Sequence, residues 1–545
     1  MIIPSGRRDS LPLSIAIAAA ALVGGALAAW HYHRLGLTLT HYDARGHLVV
    51  ARRIIDSITP GWQQIGAVWL PLPHLLNALP VQIDLFYRTG ASAVAISVVS
   101  FAIAAGAIAW IVFALTESIA ASLAATAVFA LNPNVIYLQS TPMTEPLLLA
   151  TTTVAVAMSI AWCDARNRSP DWLPPSLAER ATVDAPKPSA KVGALLPREL
   201  ALRPATVGIA FALACLTRYE AWPVTATALA AAALTRALRG HSLQAAIQDV
   251  GAIALYPAVV IAGFAIFSRV VVGQWFVGGD FFVPENMALG DAEMALEQIG
   301  WGAVALSGEA LVWIGGGGLV VALAMALRRR SSAPIVLSLV TMAAIPWAAF
   351  YRGHPFRIRY MVPLMAIEAI GAGLVSGAVS YRRVRVACAA AVLAVAAYEL
   401  RPLDRTAPMV VEAQWDRPNS PERARVTACI GPLEPGAKIM ASMGSLGHYM
   451  QEASGSGLAI RDFLHEGNGD IWLAALQRPQ PFAAWMLVEE KAQGGDMLAR
   501  IAREKPSFLA GYERVCEGAG MVLYRREPKS ATTERTETNE AHGKY

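Results

Sequence analysis

At 545 residues, with 55% hydrophobic and only 16% charged residues and a mean hydropathy of +0.43, the chain is too apolar for an ordinary soluble protein, which carries roughly 25% charged residues. Its apolar residues gather into blocks of about 17–25, the length a helix needs to cross hydrocarbon, and the formal charge of +5 is small. A nucleic-acid module, a secreted disulfide scaffold and a disordered hub are thereby excluded.

The first apolar run, Leu11–Trp30, follows Arg7 and Arg8 and reads as an uncleaved spanning helix, long for a signal segment and followed by the interfacial anchors Trp30 and Tyr32. Further blocks near 90–115, 119–138, 144–163, 205–217, 221–235, 250–272, 309–327, 333–350, 361–380 and 386–400 bring the expectation to about eleven helices. Basic residues concentrate in alternate loops: Arg7 and Arg8, the Pro-rich linker Arg166–Arg203, Arg236 and Arg239, Arg328–Arg330 and Arg382–Arg385. The positive-inside rule then sets the N-terminus in the cytoplasm and everything after Arg401 outside. From 402 to 527 the composition is that of a small soluble α/β domain. Strands are expected at Lys438–Ser442 and Ala483–Val488 and as a pair over Gly518–Arg525, with helices at Gly447–Ala453 and Gly495–Glu504. Residues 528–545 read as a disordered tail. Cys429 and Cys516 both fall outside, where a disulfide between them is one of two open outcomes. No repeat and no Gly-rich phosphate loop is present.

Polar chemistry collects in the outer loops. The first carries His41-Tyr42-Asp43-Ala44-Arg45-Gly46-His47, then an amphipathic stretch 48–58 that suits a helix lying in the interface. Asp43 and His47, four apart, share a face if one helix covers both. Asp43 is then either a base for an acceptor hydroxyl or a helix cap. Glu145 opens an apolar helix after Thr144, either as a functional carboxylate or as an acid favoured by the helix dipole. Arg218 and Glu220 share a very short outer turn, as an ion pair or as part of a site. The segment Tyr351–Tyr360 places His354, Arg357, Arg359 and Tyr360 outside, against the charge bias. Guanidinium groups of this kind hold phosphate oxygens in pairs, on a substrate or simply on lipid headgroups. The loop Gly273–Gly308, with Trp275, Phe276, Asp280, Phe281, Phe282 and Glu285, covers a site or anchors in the interface.

Three features together carry a family resemblance: Tyr42-Asp43-Ala44-Arg45 directly after the first helix, Thr144-Glu145-Pro146, and Arg357-Ile358-Arg359-Tyr360-Met361-Val362-Pro363-Leu364. The chain resembles the polytopic GT-C glycosyltransferases that use a polyprenyl-phosphate sugar, especially the branch of protein O-mannosyltransferases and the aminoarabinose transferase of lipid A (glycosyltransferase family 39 type). The resemblance implies an all-α GT-C membrane domain over 1–401 with the catalytic outer loops. It also implies Asp43 as general base with Glu145 beside it in catalysis. Arg218, Arg357, Arg359 and His354 would bind the donor phosphate, and Tyr42, His47, Glu220 and Tyr360 would orient substrate. The expected partners are the polyprenyl-phosphate-linked sugar, a periplasmic acceptor (protein, lipid or glycan) and the bilayer, with no nucleic acid. No cofactor is expected. Because Asp43 is followed by Ala44 where the family often has a second acid, no metal site is carried over. The rival readings are a lipid or sugar-lipid transporter of the inner membrane, which would bind headgroups through the arginines, and a non-catalytic scaffold for the C-terminal domain.

Overall fold

The computed structural model describes residues 10–166, 202–276, 286–329, 331–491 and 494–528. The expected linker, the loop residues Asp280 to Glu285 and the expected tail lie outside the described residues, apart from their outermost positions. The chain forms two compact units. One comprises 1–41, 66–77 and 90–414, the other 42–65, 78–89 and 415–545. The sequence draws a single boundary at 401/402. In the structure the second unit resumes at Trp415, and two pieces of the first outer loop, 42–65 and 78–89, belong to it.

The first unit is a helical membrane body. Seven of its described helices are long and apolar enough to cross a membrane: Ser10–Arg34, Ala91–Thr116, Glu145–Ala165, Leu243–Val271, Glu309–Leu327, Ala333–Tyr351 and Ile358–Gly377. The remaining expected blocks are helical but shorter or less apolar. Ile119–Ala130 stops before Asn132-Pro133, where a new short helix, Pro133–Leu138, begins. Pro204–Cys215, Ala221–Leu238 and Arg382–Glu399 cover the others.

Local chemistry sets these ends. Ser118, Asn132 and Ser242 accept backbone N–H groups of the first turns they cap, and His31, His33 and Arg34 close the first helix at its negative end. Helices Glu309–Arg329 and Met365–Gly377 cross on glycines. A Cβ at Gly318 would stand 2.0 Å from the Gly371 carbonyl oxygen, so only glycine allows this approach. One helix escaped the sequence reading. Ala292–Ser307 lies inside the expected loop Gly273–Gly308, capped by Asp291. Glu293, Glu297 and two glycines break its apolar pattern.

The second unit carries a five-stranded sheet in the order β2-β1-β3-β5-β4, with β1 Ile439–Ala441, β2 Phe463–Leu464, β3 Trp485–Glu489, β4 Tyr512–Gly518 and β5 Met521–Arg526. The first three strands pair in parallel, and the β4–β5 hairpin adds antiparallel to β3. The expected terminal strand pair is present but starts earlier, at Tyr512. The core of this unit holds Met440, Leu464, Trp472, Met486, Leu498 and Phe508, with Ile58 from the first loop packed against it. Cys429, on helix Ser420–Ile430, is joined by a disulfide to Cys516 on β4. The bridge closes 87 residues of chain and restricts the unfolded state accordingly. Reduction, or Cys429→Ser, should lower the stability of this unit by about 2–5 kcal/mol, read as a downward shift of its unfolding transition in denaturant with and without reductant.

Candidate functional site

The structure divides the candidate residues between the two units. Glu145, Arg218, Glu220, His354, Arg357, Arg359 and Tyr360 belong to the membrane unit, and Tyr42, Asp43 and His47 to the second.

In the membrane unit, Glu145 opens its helix with its side chain fully buried. The outer turn between Cys215 and Ala221 brings Arg218 to it, with Nη1 3.1 Å from the Glu145 carboxylate. The same nitrogen donates to Thr144 Oγ1 at 2.9 Å, while Nε and Nη2 fork onto Glu220 at 3.1 and 2.6 Å. Burial works against the Arg218 charge, but Glu145 and Glu220 outweigh it and Arg359 opposes them, so the guanidinium is held above its ordinary range. Arg218 is thus committed to two acids. Expected as a phosphate ligand, Arg218 here directs its donors at Glu220 and Thr144 and lies beside Glu145. Neither Glu145 oxygen accepts a hydrogen bond of ordinary geometry among the described residues. A buried acceptor left in this state is a point of chemical demand.

The turn is braced from residues 66–77. Tyr219 donates to the Ala67 carbonyl at 2.9 Å, and Leu72 N–H donates to the Leu216 carbonyl at 2.9 Å. Arg359, 5% exposed, lies in the 3-10 segment Ile358–Leu364 with its guanidinium 5.0 Å from the centre of the Tyr360 ring. Tyr360 Oη is 3.4 Å from His354 Nε2, so these three side chains form one cluster. A residue that sequence reasoning missed joins it. Glu412 accepts Ile358 N–H at 2.7 Å. Burial pushes its carboxyl up, against that hydrogen bond and the charges of Arg359 and Arg357. Glu412 lies 54 positions from Ile358, and no local motif marks it.

In the second unit, one helix, Tyr42–Arg53, covers both Asp43 and His47, each 5% exposed. Asp43 sits in the first turn, where both a cap and a presented base are expected. The Tyr42 ring meets Trp415 edge-on at 5.5 Å and His448 at 6.2 Å. The amphipathic stretch expected over 48–58 is helical only to Arg53. Arg52, 8% exposed, points to Asp56 at 2.9 Å and Asp84 at 2.7 Å. A lipid-facing anchor would leave that guanidinium outside; its acids instead draw it into the unit. Among the described residues no group of three or more His, Cys, Asp or Glu is arranged to hold a metal.

A bundle of spanning helices followed by a small mixed α/β unit defines an integral-membrane protein of the GT-C fold. Among solved structures, the chain is similar to ArnT from Cupriavidus metallidurans bound to undecaprenyl phosphate, with a TM-score of 0.55 and 13% identity over 92% of this chain and 97% of that one. An oligosaccharyltransferase of Archaeoglobus fulgidus in its apo form aligns at a TM-score of 0.45 and 13% identity, over 87% and 70% of the two chains. No family model matches the chain, and no curated protein does.

Two outcomes follow from these environments. Arg218→Met strands Glu145 and Glu220 in a buried turn and should cost about 3–5 kcal/mol, measured as loss of thermal stability in detergent, with Arg218→Lys intermediate. In the second unit, His448 is drawn down to about 4 by burial and by Arg423, with Asp416 opposing, and His465 to about 3 by burial and Arg53. Both values lie below that of an unfolded histidine, so the unfolded chain binds protons first. The stabilisation is complete above pH 6.5 and declines as pH falls toward 4 and 3, by up to about 1.4 kcal/mol per pH unit and histidine. Chemical denaturation of the full chain at pH 7.5, 5.5 and 4.5 measures it.

Proposed function

We propose that this protein is an inverting glycosyltransferase of the bacterial inner membrane, transferring a sugar from a polyprenyl-phosphate donor to an acceptor on the periplasmic side. The observation that carries the reading is the fold shared along nearly the whole chain with a protein crystallised with undecaprenyl phosphate. The orientation is supported by the basic cytoplasmic loops and by the Cys429–Cys516 disulfide, a bond of oxidising compartments.

In this mechanism Asp43 accepts the proton of the acceptor hydroxyl as its oxygen attacks the anomeric carbon. The bond from that carbon to the phosphate oxygen breaks, and the electron pair leaves with the polyprenyl phosphate. Arg357 and Arg359 receive the phosphate charge, and His354 and Tyr360, clustered with Arg359, fix its direction. Arg218 acts one step back, paired with Glu145, whose open acceptor positions can orient a substrate hydroxyl. Tyr42 and His47 flank Asp43 on its helix, and Glu220 serves Arg218. The leaving group is already on the donor, so no nucleotide takes part.

Asp43→Asn keeps the shape of the side chain and removes the base. Native membranes carrying this variant should accumulate a polyprenyl-phosphate sugar that co-purifies with the protein, while turnover falls by about 100-fold or more. Mass spectrometry of the extracted lipids reads both the donor and its enrichment over wild type. Bulk phospholipid alone in both samples overturns the reading and favours transport or headgroup anchoring.

A further inference from the structure

The helix that carries Asp43 is twelve residues long, too short to hold itself in water. Asp43 occupies its first turn, where backbone N–H groups lack partners within the helix and fraying begins. That turn is joined by a chain of charged contacts to the C-terminal stretch of the same unit. Arg45, two residues beyond Asp43, pairs with Glu452 on helix Met443–Ala453. The same carboxylate receives Arg423, with Nε 2.6 Å from Oε2 and Nη2 2.7 Å from Oε1, and Ser420 Oγ at 3.1 Å. Arg423, 4% exposed, turns its other edge on Asp416, with Nη1 at 3.0 Å and Nη2 at 2.7 Å. Its helix is in turn tied to the sheet through Cys429 and Cys516. A covalent link on β4 is therefore continued, through Arg423 and Glu452, to the first turn of the Asp43 helix.

Surface ion pairs contribute little and suit many geometries. This set differs because one carboxylate accepts three donors from two helices, and a bidentate arginine fixes its plane. The arrangement has one geometry, and Arg45 is seated by it.

We propose that Glu452 and Arg423 are positioning residues for Asp43: through Arg45 they fix the turn that presents the base, so the C-terminal part of the second unit is the mount of the catalytic carboxylate. The inference rests on the reading of Asp43 as base. Placing a reacting group about 1 Å off costs on the order of 100-fold in rate. A positioning role therefore acts on kcat and leaves donor retention alone.

The test uses the full chain in native membranes and in detergent, with Glu452→Gln and the conservative Glu452→Asp. Amide hydrogen exchange over 42–53 reads the mount independently of chemistry, and consumption of the polyprenyl-phosphate sugar that Asp43→Asn accumulates reads turnover. Glu452→Gln should raise exchange in the first turns by roughly tenfold or more and lower turnover by about 100-fold, with the donor still co-purifying. Glu452→Asp should recover much of both. Unchanged exchange in Glu452→Gln overturns the proposal, and so does normal turnover in that variant where Asp43→Asn is inactive. Loss of donor retention together with turnover also overturns it, because that is general damage. Should Glu452→Gln fail to fold, Arg423→Lys keeps the charge, loses the fork and should show the same changes in smaller degree. Normal turnover in Asp43→Asn would defeat the base reading itself, and raised exchange in Glu452→Gln would then still support the mount.

Discussion

A carboxylate removed from water must find a cation, and in a chain this poor in charge there are few to find. Glu145 is fully buried at the start of a spanning helix, and Arg218 answers it from a turn of only a few residues. Much of the membrane unit is arranged around that meeting. The two flanking helices must end within one turn of each other, Tyr219 must reach the Ala67 carbonyl, and Leu216 must accept the Leu72 N–H group to brace the turn. Glu220 adds a second acid to the same guanidinium, and the charge of Arg359 acts on it from nearby. The electrostatics of the candidate site follow from this shortage of counter-charge more than from any single residue's identity.

The second unit solves the same problem differently. Its arginines are paired within a polar fold, and the helix Tyr42–Arg53 is covered along most of its length because Arg45, Arg52 and Arg53 each find partners there. Burial of charge is tolerable where a partner is at hand, and it becomes costly when that partner is taken away. The helix is consequently packed into a folded unit over most of its length.

How much of this could be read from the residues depends on the range of the physics. Spanning helices announce themselves by local hydropathy, and most observed helices begin and end within a few residues of the expected blocks; Leu243–Val271 starts seven residues before the block expected at 250, and Asn132-Pro133 forces a new start. Strands β1 and β3 were legible as short apolar runs, and Asp43 and His47 share one helix as their spacing suggests. Helix Ala292–Ser307 was hidden because its charges and glycines interrupt the apolar count, although Asp291 offered a capping signal. Glu412 beside Arg357 and Arg359, and Glu452 beside Arg45, were invisible for a deeper reason. Each pair is made by tertiary approach of distant segments, and single-sequence periodicity contains no term for that. The pairing of Arg218 with Glu220 was open to a local reading, whereas Glu145 reaches the same guanidinium only once the turn is folded.

One feature of the second unit bears on how the molecule comes into being. It is assembled from 42–65, 78–89 and the stretch from 415 onward, with some 325 residues of membrane-spanning chain synthesised in between. The helix bearing Asp43 leaves the ribosome early and then waits for partners, Glu452 among them, that are made last. Synthesis therefore imposes an order. Throughout assembly the stretch 42–65 remains without its later partners, and the unit closes as a late event of biogenesis. A chain stopped before Trp415 would carry the helix Tyr42–Arg53 without the residues that complete its unit.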